Sequence, residues 1–194
     1  MSALARARAA VARIEERSLL RRISEAPPGS IDFASNDYLG LSRAPMVLAA
    51  MRGAPVVGSG GSRLLSGAHP EHRALERDLA RFLRRERVLL FSSGYLAAIG
   101  AIQACAQVTE HAYSDESNHA SLIDGLRLTK LPRTVFSHLS SPSHVPGGSP
   151  RIVVSESVFG MSGEAVDVGQ LLAALGPDDL LLLDEAHALG VAGE

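Results

Sequence analysis

The stretch Leu180-Leu181-Leu182-Leu183-Asp184-Glu185-Ala186-His187 constrains this chain more than any other. Four apolar residues closed by a carboxylate read as a strand buried on both faces, the habit of a parallel sheet. Ligands of open α/β sheets bind beyond the carboxyl ends of such strands. Asp184 therefore falls where a site is expected, and His187 follows three residues later. The sequence runs only ten residues further, to Glu194. A sheet-edge site announced so near the end points to part of an enzyme.

The rest of the pattern agrees with an α/β fold. A helix is expected from Ala3 to Ser24, with Leu4, Ala7, Val11 and Ile14 on one face. The run 26–30 (Ala-Pro-Pro-Gly-Ser) breaks it. Ile31 to Ala34 reads as a short strand and Pro45 to Arg52 as a small helix. The run Gly58-Ser59-Gly60-Gly61-Ser62 is too glycine-rich for regular structure. A strong helix is expected from His69 to Arg85, with Leu75, Leu79, Phe82 and Leu83 as its buried stripe. Strands are expected at 88–91, 112–114, 134–136, 152–155 and 180–184. Helices are expected at 94–106, 119–129 and 168–175, and a Ser/Pro/Gly loop at 137–150. Strands alternating with helices give βαβ units and a mostly parallel sheet.

Composition narrows the function. The net charge of −2 leaves no basic field for nucleic acid. No apolar stretch approaches the roughly 20 residues of a membrane span. No secretory h-region is present, so a cytoplasmic protein is expected. The one cysteine, Cys105, excludes an internal disulfide and reads as a small core residue. Lys130 is the sole lysine.

Four constellations carry chemistry. Ser92-Ser93-Gly94-Tyr95 joins an expected strand to a helix, so free amide N–H groups and a helix dipole would meet an anion there. The glycine run 58–62 fits neither a P-loop nor a dinucleotide fingerprint. It is either a flexible turn or a point of close approach for a substrate or subunit. In Ser117-Asn118-His119-Ala120-Ser121, Asn118 or Ser117 would cap a helix beginning near His119. His119 itself would stack on a flat ring or titrate. Asp184 with His187 lacks a third metal ligand. The carboxylate would either cap a following turn or hold a protonated ring nitrogen, as in pyridoxal 5'-phosphate (PLP) enzymes. An anion cradle, a stacking histidine and a strand-end aspartate occur in the order a PLP site needs.

Five ordered motifs then carry a family resemblance: residues 33–40 (Phe-Ala-Ser-Asn-Asp-Tyr-Leu-Gly), 58–67 (Gly-Ser-Gly-Gly-Ser-Arg-Leu-Leu-Ser-Gly), 93–95, 118–121 and 184–187. The chain resembles the α-oxoamine synthases, PLP-dependent transferases of fold type I with the aminotransferase class I/II fold. The resemblance implies two segments: residues 1–40, an N-terminal helix and short strand, and residues 41–194, the first part of a PLP-binding large domain. The remainder of that domain and a C-terminal domain lie beyond.

The resemblance also implies roles. Ser93, Gly94 and Tyr95 hold the cofactor phosphate. His119 stacks on the pyridine and touches substrate. Asp184 pairs with the ring nitrogen, and His187 bonds the phenolic oxygen. Arg21 and Asn36 contact substrate. Leu64-Leu65-Ser66-Gly67 favours members that condense L-alanine with a pimeloyl thioester in biotin synthesis. The other members make 5-aminolevulinate, 2-amino-3-ketobutyrate or sphingoid bases. A homodimer is implied, as is a Schiff-base lysine beyond the Asp-Glu-Ala-His motif, absent from these residues. Lys130 is expected on the surface, so the 194 residues alone are expected to be inactive. A non-catalytic partner subunit and a phosphate-binding module remain as alternatives. Gly160, Ser162 and Ala98 depart from the family pattern of Ser, Asp and Asn.

Overall fold

The computed structural model describes residues 1–23, 25, 27–142 and 148–192. The expected helix end at Ser24, the start of the break at Ala26, the loop residues 143–147 and Glu194 lie outside these. The chain forms two compact units, Met1–Asn36 and Asp37–Glu194.

In the first unit, α1 (Ala3–Glu16) is capped by Ser2, whose Oγ accepts the Ala5 N–H at 3.2 Å. It stops well short of the expected end. Ser18 takes a left-handed φ of 56°, and the Leu19 N–H turns back to the Ile14 carbonyl at 3.0 Å. Leu4, Val11 and Ile14 on its apolar face are exposed. The strand expected at 31–34 is not formed. Asp32 Oδ1 accepts the Ala34 N–H at 2.8 Å and curls the segment instead.

The second unit is built on a parallel four-stranded sheet, in the order β2 (Arg133–Phe136), β1 (His111–Asp115), β3 (Arg151–Glu156), β4 (Leu180–Asp184). Alternating side chains serve two cores, as strand geometry requires. Ala112, Ile152, Val154, Leu180 and Leu182 pack with α4 (Gly94–Cys105) and α5 (Ala120–Leu128). Tyr113, Val153, Leu181 and Leu183 pack on the other face with Phe159 and Leu171 of α6 (Val168–Ala173). The tetra-leucine run is thus shared two and two. Its strand is half-buried rather than buried, because β4 is the last strand on its side of the described sheet. Cys105 packs against the first core, and burial pushes its thiol pKa up, as a small core residue should behave.

The chain order places a switch point between β1 and β3. The chain leaves β1 through α5 on one face, and leaves β3 for α6 on the other. Ligands of open α/β sheets bind at such a point.

Two further expectations change. Residues 88–91 form no strand, because no neighbour offers a ladder among the described residues. The backbone of Leu90 is clamped by side chains instead: its N–H donates to Glu76 Oε1 at 3.1 Å and its carbonyl accepts from Arg63 at 3.0 Å. Arg63 and Glu76 also bond each other at 2.8 Å. The stripe of α3 (Pro70–Phe82) is partly uncovered: Leu79 and Leu83 are half-buried, but Leu75 is exposed and Phe82 is 71% exposed. In the glycine loop, a Cβ on Gly67 would fall 1.9 Å from the Gly61 carbonyl oxygen, so glycine is required where the loop closes on itself. α2 (Pro45–Arg52) forms as expected.

The entries to β3 and β4 are joined by an ion pair. Arg151 Nε donates to Asp179 Oδ1 at 3.0 Å, and the Gly176 N–H donates to Asp179 Oδ2 at 2.8 Å. The Arg151 guanidinium holds the Asp179 pKa down at about 2. A depressed carboxylate pKa stabilises the fold above the unfolded value and loses that contribution as pH falls through the folded one. Denaturant unfolding should show about 2 kcal/mol of stability lost between pH 4 and pH 2. Asp179→Asn, less stable at pH 7, should lack that acid-dependent loss.

Candidate functional site

Three of the four strands end in a carboxylate at the same edge of the sheet: Asp115 on β1, Glu156 on β3 and Asp184 on β4. Asp115 is fully buried and braces the exit of β1. Its Oδ1 accepts the Ser117 N–H at 2.8 Å and the His138 Nδ1–H at 3.0 Å, and its Oδ2 accepts the Leu139 N–H at 3.2 Å. His138 also reaches Glu164 at 3.3 Å. Burial lowers the His138 pKa, but the two carboxylates more than offset this and hold it above its usual value.

The braced turn delivers Asn118 and His119. Asn118 is not the helix cap. Its amide nitrogen is buried and donates to Ser114 Oγ at 3.0 Å and to the Val154 carbonyl at 2.9 Å, stitching β1 to β3. Its Oδ1 is buried with no protein partner among the described residues. His119 caps α5 itself, its Nδ1 accepting the Ser121 N–H at 3.2 Å. An accepting Nδ1 puts the proton of the neutral ring on Nε2.

Glu156 ties the parts together. Only 6% exposed, it accepts the His119 N–H at 2.6 Å and lies opposite Asp184 in the ladder. Burial first, and the nearby Asp184 carboxylate, raise its pKa, while the backbone N–H groups of His119 and Gly160 oppose the rise. Asp184 Oδ1 accepts the Ala186 N–H at 2.9 Å, which is the turn cap considered from sequence. Asp184 Oδ2 carries no protein partner among the described residues.

The anion cradle stands against His119. Ser93 caps α4, its Oγ accepting the Leu96 N–H at 3.2 Å. The N–H groups of Gly94 and Tyr95 have no protein acceptor among the described residues, and the space at the Gly94 Cα is open. The Tyr95 ring meets the His119 ring edge-to-face with centroids 6.4 Å apart. Its hydroxyl bonds Asp124, whose carboxylate raises the phenol pKa.

His187 is held on two sides. Tyr38 Oη lies 2.6 Å from its Nδ1, and a Cβ on Gly160 would fall 2.2 Å from its Nε2. Gly160 thus makes room for this ring. Ala98 is buried in the core within α4, while Ser162 Oγ accepts the Glu164 N–H in an exposed turn.

Ser93, Gly94, Tyr95, His119, Asp184 and His187 therefore share the carboxyl edge of one unit. Arg21 and Asn36 belong to the first unit, and the site is built wholly from the second. Lys130 is exposed and precedes β2, at the opposite edge of the sheet. Among the described residues no cluster could hold a metal ion.

A sequence profile of the aminotransferase class I and II family matches residues 28–194. The chain belongs to that family. Among curated relatives, 8-amino-7-oxononanoate synthase of Alkalilimnicola ehrlichii is 41% identical over 84% of this chain and 44% of its own length. This aminotransferase-family chain thus spans less than half of that relative. Among solved structures, serine palmitoyltransferase from S. paucimobilis with bound PLP–myriocin aldimine superposes with a TM-score of 0.77 at 22% identity, over 94% of this chain and 52% of that one. The 8-amino-7-oxononanoate synthase of Francisella tularensis gives 0.58 at 21% identity, over 79% and 44%. These likenesses show the fold-type-I fold, and the α-oxoamine synthase resemblance of the motifs agrees with the family.

Sequence reading missed Glu156, Asp115 and Tyr38. The signal for Glu156 was present: Ile152-Val153-Val154-Ser155-Glu156 is a second near-apolar run closed by an acid. An acid with a raised pKa weakens the fold as pH climbs from its unfolded value through its folded one. Glu156→Gln keeps an accepting oxygen without the charge, so its stability relative to wild type should improve between pH 4 and pH 8. Glu156→Ala should cost about 1–3 kcal/mol from the unpaired His119 N–H. Urea unfolding at both pH values checks both.

Proposed function

We propose that this chain carries the cofactor-facing part of a PLP-dependent acyltransferase of the 8-amino-7-oxononanoate synthase type. The reaction is the decarboxylative condensation of L-alanine with a pimeloyl thioester, on coenzyme A or a carrier protein. The observation that carries the reading is the convergence at the switch point: free α4 amides, His119 against them, and Asp184 with an open carboxylate oxygen. The names of the relatives support the substrates.

The residues suit PLP by their chemistry. Bound there, its pyridine ring supplies an electron sink for a carbanion next to an amino acid's carboxylate. The Gly94 and Tyr95 N–H groups would hold the phosphate at the positive end of α4. Asp184 would hold a proton at the ring nitrogen. His119 would cover one face of the ring and shed water from it, its orientation set by Ser121 and Glu156. His187 would donate to the phenolic oxygen. Arg21 and Asn36 are proposed to bind substrate carboxylate.

Residues 41–194 are read as the first part of the PLP-binding large domain, acting in the cytoplasm as a homodimer. The exposed Val57, Leu64 and Leu65 support a covering subunit. No described helix is long and apolar enough to cross a membrane. A second reading, another α-oxoamine synthase or a non-catalytic partner subunit, draws on the serine palmitoyltransferase likeness and the distant Lys130.

The test is a PLP titration of the full-length gene product, followed by an assay of thiol release from pimeloyl-CoA with L-alanine. Alanine-dependent release is expected, with Asp184→Asn lowering kcat by about 10²-fold or more. Residues 1–194 alone should show no turnover. Absence of PLP binding, or an unaffected Asp184→Asn, contradicts the reading.

A further inference from the structure

His187 has one nitrogen engaged and one without a protein partner. Nδ1 lies 2.6 Å from the Tyr38 hydroxyl, while no acceptor faces Nε2 among the described residues. The Nε2 edge abuts Gly160, where any side chain would collide. The turn bearing Tyr38 is itself closed. Asp37 Oδ2 accepts the Ser42 hydroxyl at 2.6 Å, the Gly40 N–H donates to the Asp37 carbonyl at 3.0 Å, and Gly40 takes a left-handed φ of 63°. Leu39 reaches Gly190, so the turn packs along the segment that follows His187.

A phenol hydroxyl is a better donor than acceptor, because its lone pair is drawn into the ring. An unprotonated imidazole nitrogen is a strong acceptor. The contact is therefore O–H donating to Nδ1, which leaves the proton of the neutral ring on Nε2. A half-buried donor with no protein acceptor is open to an oxygen of a bound ligand.

We propose that Tyr38 is a positioning residue: its hydroxyl fixes the tautomer and rotation of His187, and Gly160 supplies the niche that makes this orientation possible, so that Nε2–H is presented to an oxygen of the bound cofactor. This rests on the PLP reading above and extends it to two residues that do not touch the ring. For metal-ligating histidines, a partner that sets the tautomer is typically worth about 10–100-fold in metal affinity or activity, and an effect at the lower end of that scale is expected here.

The experiment uses the full-length protein with ¹⁵N-labelled histidine. Long-range ¹H–¹⁵N correlation reads the His187 tautomer without cofactor, the His187 signal being identified by its loss in His187→Gln. Wild type should show an unprotonated Nδ1 and a protonated Nε2. Tyr38→Phe keeps the ring and loses only the hydroxyl; it should give a tautomer mixture and PLP binding weakened about tenfold. Gly160→Ala, read the same way, should displace the His187 signal even if Tyr38→Phe folds poorly. A protonated Nδ1 in wild type overturns the proposal, as does Tyr38→Phe with tautomer and PLP affinity both unchanged. The expected tautomer in a wild type that binds no PLP upholds the Tyr38 contact and overturns the cofactor reading instead.

Discussion

One buried carboxylate organises this edge of the sheet. Glu156 sits at the end of β3, where the chain departs to opposite faces, and accepts the N–H of His119 ahead of α5 at 2.6 Å. An unpaired carboxylate at such depth is costly. That N–H donor makes it tolerable, and in return the carboxylate fixes the turn that carries His119. Asp184 stands beside it across the ladder, so one acid is spent on architecture and the other keeps an oxygen open. The same edge geometry that places the site therefore also stiffens it.

Much of this was legible in the sequence because it follows from local periodicity. Residues 180–184 and 94–105 needed only an apolar run or a capped helix to be read, and the strand-to-helix turn at Ser93 followed from them. Burial was less legible, since it depends on neighbours. β4 keeps an open edge because no further strand pairs with it among the described residues, and residues 88–91 form no strand there for want of a ladder partner. The α3 stripe is apolar by pattern, yet its Leu75 and Phe82 stand exposed. The end of α1 was missed because the left-handed Ser18 has no composition signal.

The site shows the same division. Gly94, His119 and Asp184 were found because each ends or begins an element. Tyr38 was missed as a partner of His187 because the two are 149 residues apart and meet only through folding. Gly160 gained a different meaning: read from sequence, it is a lost hydroxyl; in the structure, it is the space that a histidine ring occupies. Asn118 moved from helix cap to buried stitch between β1 and β3 because His119 accepts the Ser121 N–H itself.

The proposed PLP site at the switch point of this aminotransferase-family chain can be tested by a crystal structure of the full-length protein grown with PLP. Phosphate oxygens are expected on the Gly94 and Tyr95 amides, the ring under His119, and the pyridine nitrogen about 3 Å from Asp184. Density for PLP elsewhere, or a ring nitrogen turned away from Asp184, would contradict the proposed site.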